Sequence, residues 1–316
     1  MMALMKKKQL LLCILLCYGL FSDAQTSNRQ FTLTLDGKET TLLQEGDEVK
    51  YDAEGNISMI TGTVVPTLQV YLPAMEQNTG IGVIICAGGA LRMHSWGNDV
   101  ESMAQWLNER GIAAIGLKYR LNTTPFSMPA PKTDGKKGNP FEDLRMALPI
   151  TGFDQLKNAN ANPDPSGQPD KYCDQAIDDA LKAIKLVRSH AKEWGLDPQK
   201  IGFLGYSAGG GVAIGATVRT TDTEAMPSFL ATCYGPSLID ITVPRNAPPL
   251  FIATRVEHPN VAAGLLALYL EWKKAGANAE MYLYDDGKMG FGPDDQGSTS
   301  GLWRMNFLRW LQNVCR

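Results

Sequence analysis

Histidine is the scarcest chemistry-bearing residue of this chain. Three occur in 316 residues, at positions 94, 190 and 258, so any mechanism that needs an imidazole must draw on His94, His190 or His258. There is no H-E-x-x-H and no pair of histidines at ligand spacing, so no metal site and no cofactor are expected. Cysteine is also sparse: six residues are too few for a disulfide scaffold of this length. An excess of one charge is missing too. Thirty Lys+Arg face 33 Asp+Glu, a net charge of −3, which lacks the electrostatic footprint of a nucleic-acid partner. One long apolar run occurs, Leu10 to Phe21, and it is short for a bilayer span, so stable membrane insertion is not expected. What is there, 44% hydrophobic and 20% charged residues, is ordinary globular composition and excludes a mainly disordered chain.

Lys6, Lys7 and Lys8 precede the apolar run, and Ser22-Asp23-Ala24 follows it with small residues at both cleavage positions. Residues 1–24 therefore read as a secretory signal peptide, with Gln25 as the first mature residue and a periplasmic or extracellular destination. Cys13 and Cys17 each follow Leu, which argues against a lipoprotein. Among the later cysteines, Cys86 and Cys233 end apolar runs and read as buried small hydrophobes, with Cys173 and Cys315 elsewhere. Spacing does not select a disulfide pairing.

From residue 81 onward apolar strands alternate with helical patterns. Strands are expected at Ile81 to Cys86, Ile112 to Leu117, Ile201 to Gly205, Phe229 to Tyr234, Leu250 to Thr254 and Glu280 to Tyr284. Helices are expected at Val100 to Arg110, Asp174 to Trp194, Val261 to Ala275 and Leu302 to Val314. Such alternation predicts an α/β protein with a mostly parallel central sheet and helices on both faces. Residues 31–73 hold short β-rich pieces and are expected as antiparallel strands at one sheet edge. The reading is one domain over 25–316, interrupted by a long Pro-, Gly- and Asn-rich insertion at 122–171 that can serve as an active-site cap or be a surface insertion without a role. Leu144 to Ile150 is expected as a short helix inside it. Asn158 to Gly167 resembles a calcium loop only superficially, because Pro163 stands where an EF-hand needs Gly.

Gly205-Tyr206-Ser207-Ala208-Gly209 is a G-x-S-x-G motif in its required context, after a strand and before a helical run. The glycines allow close backbone packing, the Ser207 hydroxyl projects above the sheet edge, and the Ala208 N–H opens a helix towards a developing oxyanion. A second oxyanion donor is expected from the turn Cys86-Ala87-Gly88-Gly89-Ala90, with Gly89 and Ala90 as candidates.

These motifs resemble the acetyl-esterase and feruloyl-esterase (xylan-esterase-like) branch of the α/β-hydrolase superfamily, bacterial secreted enzymes that remove esters from xylan or pectin. The resemblance runs from about Val64 to the C-terminus. It rests on Val65 to Pro73, the Cys-x-Gly-Gly turn, Trp106-Leu107-Asn108, Lys118-Tyr119-Arg120-Leu121, Glu193 to Pro198, Ile201 to Gly210, Pro248 to Phe251 and Gly290-Phe291-Gly292. It implies the α/β-hydrolase fold, a serine nucleophile, and a small-molecule or polysaccharide ester as substrate.

The sequence departs from that pattern where it matters for proton transfer. In Glu257-His258-Pro259-Asn260-Val261 the triad acid position holds His258, and in Gly287-Lys288-Met289-Gly290-Phe291-Gly292 the triad His position holds Met289. A thioether neither accepts nor donates a proton at working pH. Gly211 stands where relatives often carry His, Ala87 where they carry Pro, and Trp96 at a position often acidic. Of the three histidines, His258 is the candidate replacement base, with Glu257, Asp285 or Asp286 as orienter. His94 reads as an exposed loop residue, His190 as part of a solvated helix face, and Lys288 as a protonated lysine unsuited to be the base. Two readings stay open: an esterase-like serine hydrolase with a degraded or rearranged triad, or an inactive relative whose cleft binds a glycan or a partner.

Overall fold

The computed structural model describes residues 29–124, 159–161, 170–256, 259–285 and 297–316. The expected leader, most of the 122–171 insertion, His258 and Met289 lie outside the described residues. In chain order the strands are β1 (Arg29–Thr34), β2 (Glu39–Thr40), β3 (Glu48–Tyr51), β4 (Ile57–Thr61), β5 (Thr67–Leu72), β6 (Gly82–Cys86), β7 (Met93–His94), β8 (Ala113–Lys118), β9 (Ile201–Tyr206), β10 (Leu230–Cys233), β11 (Leu250–Arg255) and β12 (Ala279–Tyr284). The helices are α1 (Ser102–Asn108), entered through a π-helical turn at Trp96–Glu101, then α2 (Lys171–Ser189), α3 (Ala191–Trp194), α4 (Ala208–Arg219), α5 (Pro259–Lys274) and α6 (Trp303–Val314).

Nine strands form one sheet in the order β12-β11-β10-β9-β6-β8-β5-β1-β2. From β12 to β8 every neighbouring pair is parallel. β5, β1 and β2 add the expected antiparallel edge. The interior strands β6, β8 and β9 are buried along their whole length, as sheets covered on both faces require. On one face α2 lays Ala176, Ala180, Ala183 and Ile184 against the sheet, beside α4 and the Trp272 end of α5. On the other, α1 and the aromatic stripe Trp303, Phe307 and Trp310 of α6 pack over Phe229 and Phe251. Asp170 starts α2 by accepting the Tyr172 and Cys173 N–H groups.

Two expectations are corrected. β3 and β4 do not join the sheet edge; with β7 they make a separate three-stranded sheet in the order β3-β4-β7. The cause is the pairing of Ile60 with His94 and Thr61 with Met93, which carries Ile60 into the core beside Trp96 and Val100. The same pairing overturns the reading of His94 as an exposed loop residue. It is fully buried, Nε2 donates to the Tyr119 carbonyl at 2.9 Å, and its ring meets the Tyr119 ring edge-on at 4.5 Å. His190 lies where α2 gives way to α3, part-exposed, paired with Glu193 and stacked on Trp194. Cys86, Cys173, Cys233 and Cys315 are buried free thiols.

The N-terminal segment is joined to the parallel core by a buried ion pair. Lys118, the last residue of β8, meets Asp47, and both side chains are shut off from solvent. Asp47 also accepts the Thr63 hydroxyl and the Gln44 N–H, each at 2.8 Å. Burial lowers the Lys118 pKa and Asp47 opposes that shift. Removing one partner would leave a buried charge uncompensated. Lys118→Met or Asp47→Leu alone is therefore expected to cost ~3–5 kcal/mol in urea unfolding, and the double replacement to recover most of it. A single variant as stable as wild type would show that the pair is not the tie described.

Candidate active site

Ser207 sits between β9 and α4 at the carboxyl edge of the sheet, partly exposed, with φ 48° and ψ −125°. A non-glycine residue in this region is strained by about 1–3 kcal/mol and persists only where its surroundings over-determine it. Here they do. The Ser207 N–H donates to the Cys233 carbonyl at 3.0 Å, and the Ser207 carbonyl accepts from Gly210 at 2.9 Å. A Cβ at Gly209 would fall 2.2 Å from the Cys86 carbonyl oxygen, so this glycine lets the elbow press onto the end of β6.

The turn after β6 faces the elbow: a Cβ on Gly88 would lie 3.0 Å from Ser207 Cβ. Gly89, Ala90 and Leu91 all have positive φ, at 136°, 54° and 56°. The turn is held from its outer side. The Tyr119 hydroxyl donates to the Ala87 carbonyl at 2.6 Å. Ser95 N–H donates to the Gly88 carbonyl at 3.0 Å, and Arg92 and Met93 N–H to the Gly89 carbonyl at 2.9 and 3.1 Å. The N–H groups of Gly89, Ala90 and Ala208, the three expected donors, have no protein acceptor among the described residues. The Ala208 N–H also stands at the positive end of a twelve-residue helix.

The proton-accepting side is less complete among the described residues. The Ser207 hydroxyl has no hydrogen-bond partner there. His94 has its Nε2 engaged with the Tyr119 carbonyl and burial lowers its pKa to about 3, so it stays neutral and enclosed. His190 is engaged with Glu193. β11 and β12 end in register at Arg255 and Tyr284 on the edge that carries Ser207, and Asp285 is exposed just beyond. Arg255 is buried, with its guanidinium acting on the Tyr234 phenol. Asn160, within the long interruption, is buried; it pairs with Ser237 and donates to Asp240 at 3.2 Å, beside the loop that covers Gly211 through Leu238.

One site residue escaped the sequence reading. Asp99, in the π-helical turn, is buried, and its Oδ2 accepts the Gly88 N–H at 2.8 Å. A Cβ on Gly88 would stand 3.2 Å from that oxygen, so Asp99 and Ser207 flank the same glycine. Trp96 itself is a buried core residue, and the carboxylate of this segment comes one turn later. The available signal was an acid in the first helical turn after a glycine-rich loop, which helix starts often carry for other reasons.

Burial pushes the Asp99 carboxyl up to about 6, against the pull of the Gly88 N–H, Asn98 and Ser95. The folded state therefore holds a proton that the unfolded chain has released, and stability falls as pH rises from the ordinary carboxylate range through about 6. A rise of that size is worth ~3 kcal/mol. Asp99→Asn cannot ionise, so its stability relative to wild type is expected to improve steadily between pH 4 and pH 7 in urea unfolding. A difference that stays constant over that range would contradict the assignment.

A family described as having the alpha/beta hydrolase fold matches residues 166–287, which include the nucleophile elbow. Among solved structures, the acetyl ester-xyloside bifunctional hydrolase of Caldicellulosiruptor lactoaceticus is similar at 21% identity over 79% of this chain and 88% of that one, with a TM-score of 0.55. A putative carboxylesterase of Lactobacillus plantarum is 20% identical over 85% and 99% of the two chains, with a TM-score of 0.53. A thermophilic esterase of Thermogutta terrifontis is 20% identical over 85% and 91%, with a TM-score of 0.51. The search of curated proteins gave no match. Sheet order, elbow and structural likeness agree: this chain has the α/β-hydrolase fold.

Proposed function

We propose that this protein is an esterase-like serine hydrolase, exported from the cytoplasm, that acts on acetyl or acyl esters of a plant-type polysaccharide through a rearranged triad. The observation that carries the proposal is the strained Ser207 elbow pressed against a turn whose Gly89 and Ala90 N–H groups are unspent. Strain of this kind, facing unpaired donors, suits acyl transfer. In that reaction the Ser207 hydroxyl oxygen adds to the ester carbonyl, and its proton passes to a base. The N–H groups of Ala208 and the β6 turn receive the oxyanion, the alcohol leaves with a proton, and water then releases the acid. With His94 and His190 engaged elsewhere, His258 is the remaining histidine for the base. The polysaccharide ester follows from the sequence resemblance, and the C. lactoaceticus enzyme is named as a hydrolase of acetyl esters and xylosides.

The second reading, a cleft that binds a glycan or a partner without turnover, is favoured by one feature: Met289 at the position where the resemblance expects the catalytic histidine. Hydrolysis of p-nitrophenyl acetate separates the two. Under the proposal, wild type outpaces Ser207→Ala and His258→Asp alone abolishes that activity. The pair His258→Asp with Met289→His, which writes the usual acid and base back, is expected to gain ~10²–10⁴ over Ser207→Ala. Wild type no faster than Ser207→Ala, with a folded but equally slow double variant, would leave binding as the better account. For export, the mature protein is expected to begin at Gln25; soluble cytoplasmic material with an intact terminus on N-terminal sequencing would refute it.

A further inference from the structure

An oxyanion site made of backbone works only if its donors stand about 2.7–3.1 Å from where the charge develops. A glycine-rich turn has no such preference of its own. Something outside the turn must decide which N–H groups face the nucleophile and which face away.

We propose that Asp99 is the positioning residue that sets the oxyanion turn against Ser207, by closing a ring of three hydrogen bonds around Gly88. Ser95 N–H donates to the Gly88 carbonyl at 3.0 Å, Gly88 N–H donates to Asp99 Oδ2 at 2.8 Å, and Asp99 N–H donates to the Ser95 carbonyl at 2.9 Å. Both backbone groups of Gly88 are thereby fixed to one short segment. The Gly88 N–H is turned away from the cleft, and the next two N–H groups are left unspent. Asn98 Nδ2 donates to the other carboxylate oxygen at 2.8 Å, so the side chain has little freedom to let go.

The setting argues for a positioning role rather than a general stabilising one. The groups that face Asp99 from the neighbouring strands are Tyr119 just past β8, Tyr206 of β9, and Cys233 and Tyr234 at the end of β10. Burial holds each of them in its neutral form, and no cation among the described residues offsets the carboxyl. The other buried acid side chains among the described residues are paired: Asp47 with Lys118 and Asp179 with Arg120. Asp99 has hydrogen-bond donors alone, and it sits against the glycine that flanks Ser207. An acid kept buried without a counter-ion beside a cleft is where function is expected to outweigh stability.

The inference rests on the esterase-like reading of Ser207, and its test keeps the two apart. The full mature chain is compared as wild type, Asp99→Asn, which keeps one acceptor, and Asp99→Leu, which keeps none. Asp99→Ala stands in if the leucine variant does not fold. Hydrogen exchange at the Gly88 and Ser95 amides reads the turn without any turnover. Exchange is expected to quicken tenfold or more in Asp99→Leu and to stay near wild type in Asp99→Asn. On p-nitrophenyl acetate, Asp99→Leu is expected to lose 10²–10³ in kcat with KM little changed, and Asp99→Asn to recover most of it. A folded Asp99→Leu protein with wild-type exchange at Gly88 overturns the proposal whatever the rates, and so does one with wild-type kcat. If wild type hydrolyses no faster than Ser207→Ala, the esterase reading fails, and the exchange measurement still decides whether Asp99 holds the turn.

Discussion

The contact on which the site depends is the close passage of two backbones, where Gly209 leaves no Cβ in front of the Cys86 carbonyl. It allows the chain to leave β9, turn through a strained serine and enter α4 while still touching the end of β6. The parallel register supplies the rest: Cys86 pairs with Gly205, and Cys233 pairs with Tyr206 and accepts the Ser207 N–H. Three central strands thus agree on one position for the nucleophile. The strain at Ser207 is carried by cooperative packing of the whole sheet rather than by any side chain near the cleft.

Around this centre Lys118, His94 and Asp99 are buried, and the fold treats each differently. Lys118 keeps its charge beside Asp47 and ties the N-terminal segment to β8. His94 is kept neutral, its Nε2–H spent on the Tyr119 backbone. Tyr119 in turn gives its hydroxyl to the Ala87 carbonyl, so the enclosed histidine props the oxyanion turn through its neighbour. Asp99 has neither a counter-ion nor an apolar substitute, only donors from the turn and its own segment. Two of the three groups that brace the turn therefore come from the stretch between β6 and α1, and the third from the end of β8. The turn and its supports form one unit built at the middle of the sheet.

How much of this was legible beforehand follows from what each signal depends on. β6, β8 and β9 announce themselves as apolar runs because both their faces are covered, and α2 because Ala176, Ala180 and Ala183 repeat at helical spacing. The Ser207 elbow is local, so G-x-S-x-G with its flanking strand and helix suffices to place it. The small sheet was not legible, since β7 is two residues long and its partner β4 lies more than thirty positions earlier in the chain. For the same reason His94 looked like a loop residue: enclosure is made by distant pairing that a single sequence does not display. Asp99 was hidden by the opposite effect. An acid in a first helical turn is so common that its use as an acceptor for the amide of Gly88, eleven residues earlier, leaves no mark in the pattern.

The two halves of a serine-hydrolase site also differ in what they are made of. Under the proposed reading the electrophilic half consists of backbone N–H groups at Gly89, Ala90 and Ala208, carried at the ends of strands in the middle of the sheet. Side-chain replacement after β11 or β12 leaves those groups in place, because the core needs the same packing whether or not any ester is cleaved. The proton-handling half consists of side chains alone, and the resemblance expects them after β11 and β12, the last two strands on one side of the sheet. Nothing in the packing of the core dictates which residue occupies those positions. An intact elbow in a chain that carries His258 and Met289 where the resemblance expects the acid and the base is therefore a coherent combination, in which, under the proposed reading, turnover is decided by the base and not by the fold. An elbow without a base still retains ~10³–10⁴ over water when the oxyanion donors are in place. The holding of the β6 turn consequently matters under either reading: it sets the floor of any hydrolysis when the base is missing, and adds to its ceiling when His258 supplies one.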